Sequence, residues 1–193
     1  MMSNKDKYVF IDRDGVINKD PGGWTEYGYV TRPEDFYILP NVPEAMKKLK
    51  EAGYKVIIVS NQQGVGKGYF TKEELADVTQ KMMGDIRKAG GDISGTFYCT
   101  HRKDENCDCR KPKEGLFHLA QEELGMQSFD NKFFIGDNTT DIEAGKKAGL
   151  KTILVLSGKS TAMDPEKWEH KPDYICEDLL EAVEVVLAED EKA

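Results

Sequence analysis

Phe10-Ile11-Asp12-Arg13-Asp14-Gly15-Val16-Ile17-Asn18 is the stretch on which the reading of this chain turns. Two aspartates stand one residue apart after the apolar run Tyr8-Val9-Phe10-Ile11, and a glycine follows them. If residues 8–11 form a buried strand, the aspartates lie at its C-terminal end, where an open parallel α/β sheet keeps its ligand crevice. Alternate side chains of an extended backbone share a face, so Asp12 and Asp14 can converge on one point. Gly15 lets the chain turn sharply there. Two close carboxylates repel and need a cation, a shared proton, or both. With a cation bound, one can stay ionised as a nucleophile while the other carries a proton for a leaving group. A polar turn after a strand would use the same residue types.

Working outward, short runs rich in Val, Ile, Phe and Tyr recur at residues 8–11, 56–59, 96–98, 133–135, 152–156 and 174–176. Helical patterns separate most of them, over residues 42–52, 71–89, 116–124, 139–148 and 178–188. Thr71 and Glu74 make a capping box at the start of the second of these. The alternation predicts an α/β fold, a Rossmann-like doubly wound and mostly parallel sheet with helices on both faces. Residues 19–39 and 100–114 are left as long irregular stretches, and loops of that length in a compact domain tend to carry function. The charged tail over residues 189–193 is expected to fray.

The chain has 193 residues, 39% of them hydrophobic, enough for one well-buried core and one domain spanning residues 1–193. No apolar run approaches the roughly 20 residues that cross a bilayer. Residues 1–7 lack the apolar centre of a secretory signal, so the expected location is the cytoplasm. A net charge of −8 argues against a general nucleic-acid binder. Cys176 reads as a small core residue.

Three further clusters carry chemistry. Ser60-Asn61-Gln62-Gln63-Gly64 follows a strand with small hydrogen-bonding side chains, suited to cradling an oxyanion or to capping a turn. Gly64-Val65-Gly66-Lys67-Gly68 is no P-loop, because glycine stands where Ser or Thr must follow the lysine. Cys99, His101, Cys107 and Cys109 offer three thiolates and an imidazole, the ligand set of a closed structural zinc site that would staple its loop. Arg110-Lys111-Pro112-Lys113 follows immediately, a cationic run fixed by that staple and able to face an anion. Gly136-Asp137-Asn138-Thr139-Thr140-Asp141 brings carboxylates to another strand end. Asp137 is the natural partner of Asp12 on a hard cation such as magnesium. Asp141, one helical turn on, is suited to orienting Lys111 or a metal-bound water; Asp137 or Asn138 would serve equally as a helix cap.

Together these segments resemble the haloacid dehalogenase superfamily of phosphatases over residues 8–156. Asp12-x-Asp14 is similar to its first motif, Ser60 to its second, Lys111 to its third, and Gly136-Asp137 with Asp141 to its fourth. The loop Cys99-x-His101…Cys107-x-Cys109-Arg110-Lys111-Pro112 resembles the branch that holds heptose bisphosphate phosphatases and histidinol phosphatases. Gly28-Tyr29-Val30, Glu34-Asp35-Phe36, Leu39-Pro40 and Ser60-Asn61-Gln62 look more like the heptose enzymes. Ser60 stands where Thr is more usual, and residues 21–27 lengthen a loop that the resemblance places against substrate.

The resemblance implies a magnesium-dependent phosphomonoesterase acting on a small phosphorylated sugar; with no long coiled-coil pattern a monomer is the default, and run length and charge leave no membrane or nucleic-acid partner expected. Asp12 would attack phosphorus, and Asp14 would protonate the leaving oxygen and then activate water. Asp12, the Asp14 carbonyl and Asp137 would hold Mg2+, and Ser60 and Lys111 would stabilise the phosphoryl oxygens. Asp20, Asn61, Gln62, Arg110 and Asn138 would contact substrate, with Asp141 supporting them. A zinc-knuckle module binding nucleic acid through Arg102, Lys103, Arg110, Lys111 and Lys113 is the alternative from another class; few aromatic residues in that loop weigh against it.

Overall fold

The computed structural model describes residues 7–159 and 168–192. The readings of residues 1–6 and of Ala193 lie outside the described residues. Strands β1 (Lys7–Ile11), β2 (Tyr54–Asn61), β3 (Gly95–Cys99), β4 (Phe133–Gly136), β5 (Lys151–Val155) and β6 (Tyr174–Cys176) form one sheet in the order β3-β2-β1-β4-β5-β6. Every neighbouring pair is parallel. Helices α1 (Val42–Glu51), α2 (Lys72–Lys88), α3 (Gly115–Leu124), α4 (Thr139–Lys147) and α5 (Leu179–Asp190) make the connections and the C-terminal layer. The doubly wound expectation holds.

A sheet covered on both faces wants apolar side chains on both sides of each strand, which is why these strands read as unbroken apolar runs. In β1, Val9 and Ile11 face α1, α2 and α5 in one core containing Met46, Met82 and Val183. Tyr8 and Phe10 face the other core, with Phe117 and Ala120 of α3. Phe117 meets Phe10 and Phe134 edge-on, at ring separations of 5.3 and 4.9 Å. Each such contact adds about 0.5–1.5 kcal/mol beyond its buried area.

The chain runs outward from β1 to β3, then returns to place β4 on the other side of β1. Connections therefore diverge between β1 and β4, and a crevice opens beyond their C-terminal ends. Asp12 N–H donates to Ile135 O at 2.9 Å, which holds the end of β1 against β4 at that point.

Most element boundaries shift by one or two residues from the expected ones. β2 continues through Ser60 and Asn61, paired with Tyr98 and Cys99, so both belong to the strand rather than to the turn after it. The expected fraying from residue 189 is corrected for Glu189 and Asp190. Helix α5 includes both, and they pair with strand lysines, Glu189 with Lys151 at 2.9 Å and Asp190 with Lys7 at 2.6 Å. The irregular stretches 19–39 and 100–114 each hold a single 3-10 turn, Pro33–Asp35 and Lys103–Glu105. The Thr71–Glu74 capping box forms as expected. Among the described residues, no helix is long and apolar enough to cross a membrane.

Candidate active site

A cavity of about 250 Å3 lies beyond the ends of β1, β2 and β4, lined by Asp12, Asp14, Ser60, Lys111, Asp137 and Asp141 among others. Asn61, Arg110 and Asn138 also reach it, whereas Gln62 and Asp20 do not line it.

Lys111 is the hub of the buried charges. Its Nζ lies 3.0 Å from Asp12 Oδ1 and 2.7 Å from Asp141 Oδ1, and it donates to Val59 O at 2.9 Å. Burial works against its charge, but the two carboxylates outweigh it and hold the ammonium protonated. Asp141 is fully engaged. Its other oxygen accepts the N–H groups of Asp137 and Asn138, at 3.2 and 3.1 Å, across the N-terminus of α4. Asp12 and Asp137 are less well served. Burial, only partly offset by Lys111, pushes Asp12 up to about 6. Burial, then the carboxylates of Asp141 and Asp12, push Asp137 up to about 8.

Carboxylate oxygens of Asp12, Asp137 and Asp141 lie within 4.8 Å of one another. Lys111 is the buried cation among these three carboxylates, with Lys159 further out, and Asp12 Oδ1 has no aligned hydrogen-bond donor. Buried, undercompensated and oxygen-only, this donor set fits a hard divalent cation. Because Asp141 is already occupied, Asp12 and Asp137 are the carboxylates with capacity left.

Asp14 lies in a different setting. Its oxygens accept from Arg13 at 3.0 Å, from Asn18 Nδ2 at 2.9 Å and from Gln62 Nε2 at 2.8 Å. Burial raises its pKa, but the Arg13 guanidinium and these donors together bring it below the usual carboxylate value. Arg13 is fully buried and lies over the Tyr98 ring. The expectation that Gln62 contacts substrate is corrected. Gln62 has no exposed surface; its Nε2 donates to Asp14 and to Ser60 Oγ, 3.2 Å away, and its Oε1 is buried without a hydrogen-bond partner.

Asn61 clamps the loop that carries Lys111. Its Nδ2 donates to Lys111 O at 3.0 Å, and its Oδ1 accepts the Lys111 N–H at 3.1 Å. A few residues upstream, Cys99 Sγ and Cys109 Sγ each stand 3.6 Å from Cys107 Sγ, and His101 Nδ1 lies 3.2 Å from Cys109 Sγ. A disulfide needs sulfurs about 2 Å apart. Two thiolates at about 2.3 Å from one tetrahedral ion stand roughly 3.8 Å apart. The four side chains therefore fit a metal rather than a disulfide, and among the described residues no cysteine is bridged.

Of the lengthened loop 21–27, only Pro21 lines the cavity. Trp24 packs on Tyr37, and Tyr27 stacks on Tyr69 at 4.6 Å, so most of the insertion builds the outer wall. The sequence reading missed the segment after β5. Ser157 Oγ donates to Gly15 O at 2.8 Å, Lys159 N–H donates to Asp137 Oδ2 at 2.7 Å, and Lys159 lines the cavity. Asp20 sits at the rim, its Oδ2 3.4 Å from Lys159 Nζ. The signal was available: Ser157-Gly158-Lys159 follows a strand with a small residue and a glycine, as the other motifs do. Arg13 was missed because it was read only as the spacer between two aspartates.

A family model described as HAD-hyrolase-like matches residues 108–182. The chain is 33% identical over 187 residues to a Pasteurella multocida (strain Pm70) protein named D-glycero-beta-D-manno-heptose-1,7-bisphosphate 7-phosphatase, covering 93% of this chain and 96% of that one. It is also 33% identical to a Photorhabdus laumondii subsp. laumondii protein named D-glycero-alpha-D-manno-heptose-1,7-bisphosphate 7-phosphatase, covering 86% of this chain and 91% of that one. Among solved structures, it matches the D,D-heptose 1,7-bisphosphate phosphatase of B. bronchiseptica complexed with magnesium and phosphate. The TM-score is 0.82 at 29% identity, covering 95% of this chain and 99% of that one.

Proposed function

The chain belongs to the D-glycero-manno-heptose-1,7-bisphosphate 7-phosphatase family of HAD-like hydrolases, and from that premise we propose that it hydrolyses the 7-phosphate of a D-glycero-D-manno-heptose 1,7-bisphosphate through a phosphorylated Asp12. The observation that carries the reading is the meeting of Asp12 and Lys111 at the β1/β4 crevice, beside Ser60 and Asp137 in one cavity. One six-stranded sheet running from Lys7 to Cys176 supports treating the chain as one phosphatase domain.

Asp12 is the nucleophile, because it emerges at the crevice with an oxygen not fully claimed by a donor. Lys111 favours the ionised form of that carboxylate and brings its positive charge, beside the Ser60 O–H, to the phosphoryl oxygens. Asp12, Asp137 and the main-chain carbonyl of Asp14 would hold Mg2+, which when bound neutralises the charge building on the phosphoryl group. Asp141 positions Lys111 and the start of α4, and does not touch substrate.

Asp14 serves as acid and then base. In the resting site Arg13, Asn18 and Gln62 hold it ionised. A phosphate dianion entering beside it raises its proton affinity, since like charge disfavours the carboxylate. Asp14 then gives a proton to the leaving sugar oxygen and later takes one from the water that cleaves the acyl phosphate. Arg110, Asn61 and Asn138 face the substrate. Cys99, His101, Cys107 and Cys109 bind Zn2+ structurally, leaving no open position for chemistry. Cysteines without disulfides suit a reducing, cytoplasmic compartment.

Phosphate release should be measured from both heptose 1,7-bisphosphate anomers and from histidinol phosphate, with and without Mg2+. The expected result is Mg2+-dependent release with a far higher kcat/KM for a heptose bisphosphate. A preference for histidinol phosphate, or release indifferent to Mg2+, overturns the proposal.

A further inference from the structure

Lys159 makes two contacts at the cavity, one through its main chain and one through its side chain. Its main-chain N–H holds Asp137 Oδ2 at 2.7 Å, on the floor of the site. Its ammonium stands at the rim, 3.4 Å from Asp20 Oδ2, with 57% of the side chain exposed. The residue thus spans from the proposed metal ligand to the entrance.

The contact with Asp20 is loose. Asp20 Oδ2 is buried yet accepts no hydrogen bond of good geometry, so the pair is held by charge without alignment. Asp20 is also kept in place independently, because its Oδ1 accepts the Gly22 N–H at 2.7 Å. A flexible ammonium on a long stem can leave such a partner for a stronger anion at little cost. The same cavity holds a second undersatisfied cation: Arg110 Nη1 is buried without a hydrogen-bond partner. Lys111, by contrast, sits at the floor of the site against Asp12, Asp141 and Val59 O, away from the rim.

A substrate phosphorylated at both ends must seat one phosphate at Asp12 and leave the other further out. Resting on the function proposed above, we infer that Lys159 is a specificity-determining residue whose ammonium leaves Asp20 to bind the distal phosphate of the bisphosphate, together with Arg110. Asp20 acts as the resting counter-ion, which keeps Lys159 at the rim until a dianion displaces it. The side chain then selects bisphosphates over monophosphates, while the main chain of the same residue steadies Asp137.

The two roles separate experimentally, because Lys159→Met removes the ammonium and keeps the N–H. Steady-state rates are measured on the 1,7-bisphosphate and on the same sugar carrying only the 7-phosphate. For Lys159→Met, the ratio of their kcat/KM values is expected to fall by about tenfold or more, chiefly through KM for the bisphosphate, as loss of a charge-assisted bond implies. Lys159→Arg should restore most of it. In an Asp12→Asn background, calorimetry with the bisphosphate should show the same weakening without turnover. An unchanged ratio, or equal losses on both substrates, overturns the inference while leaving the proposed function standing. A wild-type enzyme that does not hydrolyse the bisphosphate overturns both.

Discussion

Arg13 Nη2 donates to both carboxylate oxygens of Asp14, at 3.0 Å each, and the guanidinium is wholly buried. Neighbouring residues of a strand end, pointing apart in a regular strand, have been folded onto each other by the turn at Gly15, where φ is +85°. The consequence is that Asp12 and Asp14, alike in sequence, titrate in opposite directions. Two carboxylates pushed apart in this way can take different parts in one reaction.

Gln62 completes the grip on Asp14 from a position with no access to the cavity. Gln62→Met should therefore lower kcat by about tenfold or more while leaving KM close to wild type, because aim and proton affinity of the acid/base group change but no substrate contact is lost. A raised KM with unchanged kcat would return Gln62 to the substrate surface.

Asp12→Asn should bring phosphate release below detection. The fold should survive, because burial disfavours the Asp12 carboxylate and a neutral amide relieves that cost. The amide oxygen can still face Lys111, which also keeps Asp141. Circular dichroism and a melting curve at pH 7.5 check the fold. Turnover at a wild-type rate would remove Asp12 from the nucleophile's role.

The sheet was legible because each strand is buried on both faces and is written as an apolar run. Residues 133–135 and 174–176 could be read almost to the residue for that reason. Strand ends carrying a carboxylate or hydroxyl at Asp12, Ser60 and Asp137 pointed to the crevice, but the same signal at Ser157-Gly158 after β5 was passed over. Two things were hidden. Which face a polar side chain takes after the strand ends depends on turn geometry, so Gln62 could not be told from Asn61. Charge balance is also a three-dimensional property: nothing in the sequence says that Lys111 serves Asp12 and Asp141 together while Lys159 stands at the rim.

Removing the metal from the Cys99, His101, Cys107 and Cys109 cluster, by chelation or by Cys107→Ser, should release about one Zn2+ per chain. Activity should fall by about tenfold to a hundredfold, because displacement of a catalytic group by about 1 Å is costly. Asn61 still clamps Lys111, so activity should not vanish. Metal analysis and protease nicking between residues 100 and 110 provide the readouts. A metal-free variant with full activity and an intact loop would remove the staple from the argument.

The metal-free protein should lose stability as pH rises. Asp12 and Asp137 bind protons more tightly folded than unfolded, with values of about 6 and about 8 against an ordinary 3.8. Between those limits the folded state holds more protons, so each pH step upward favours unfolding. Mg2+ binds the ionised pair and should reverse the trend. At a hundred times its Kd it adds about 2.7 kcal/mol, or about 5–10 °C in Tm for a chain of this size. Melting curves at pH 5.5 and 8, with and without Mg2+, should show the larger Mg2+ effect at pH 8. An equal effect at both would mean that these carboxylates are not what the ion meets.

Gly158 gives the most direct test of how Asp137 is held. A methyl group added there would come within 2.6 Å of Asp137 Cγ, and one added at Gly15 within 2.8 Å of the same atom. Asp137 is thus gripped between two glycines from different loops, which Ser157 Oγ ties together through Gly15 O. Gly15 also needs its positive φ, so a substitution there mixes backbone strain with crowding. Gly158 has no such requirement, and Gly158→Ala tests crowding alone. The strap must move outward, breaking the Lys159 N–H bond to Asp137 Oδ2. A ligand that loses its orienting donor binds metal about tenfold to a hundredfold more weakly. Calorimetric titration of Mg2+ into Gly158→Ala should show that loss, and Lys159→Met, which keeps the N–H, should not. Equal Mg2+ affinity in Gly158→Ala and wild type would mean that the main chain of residues 157–159 does not orient Asp137.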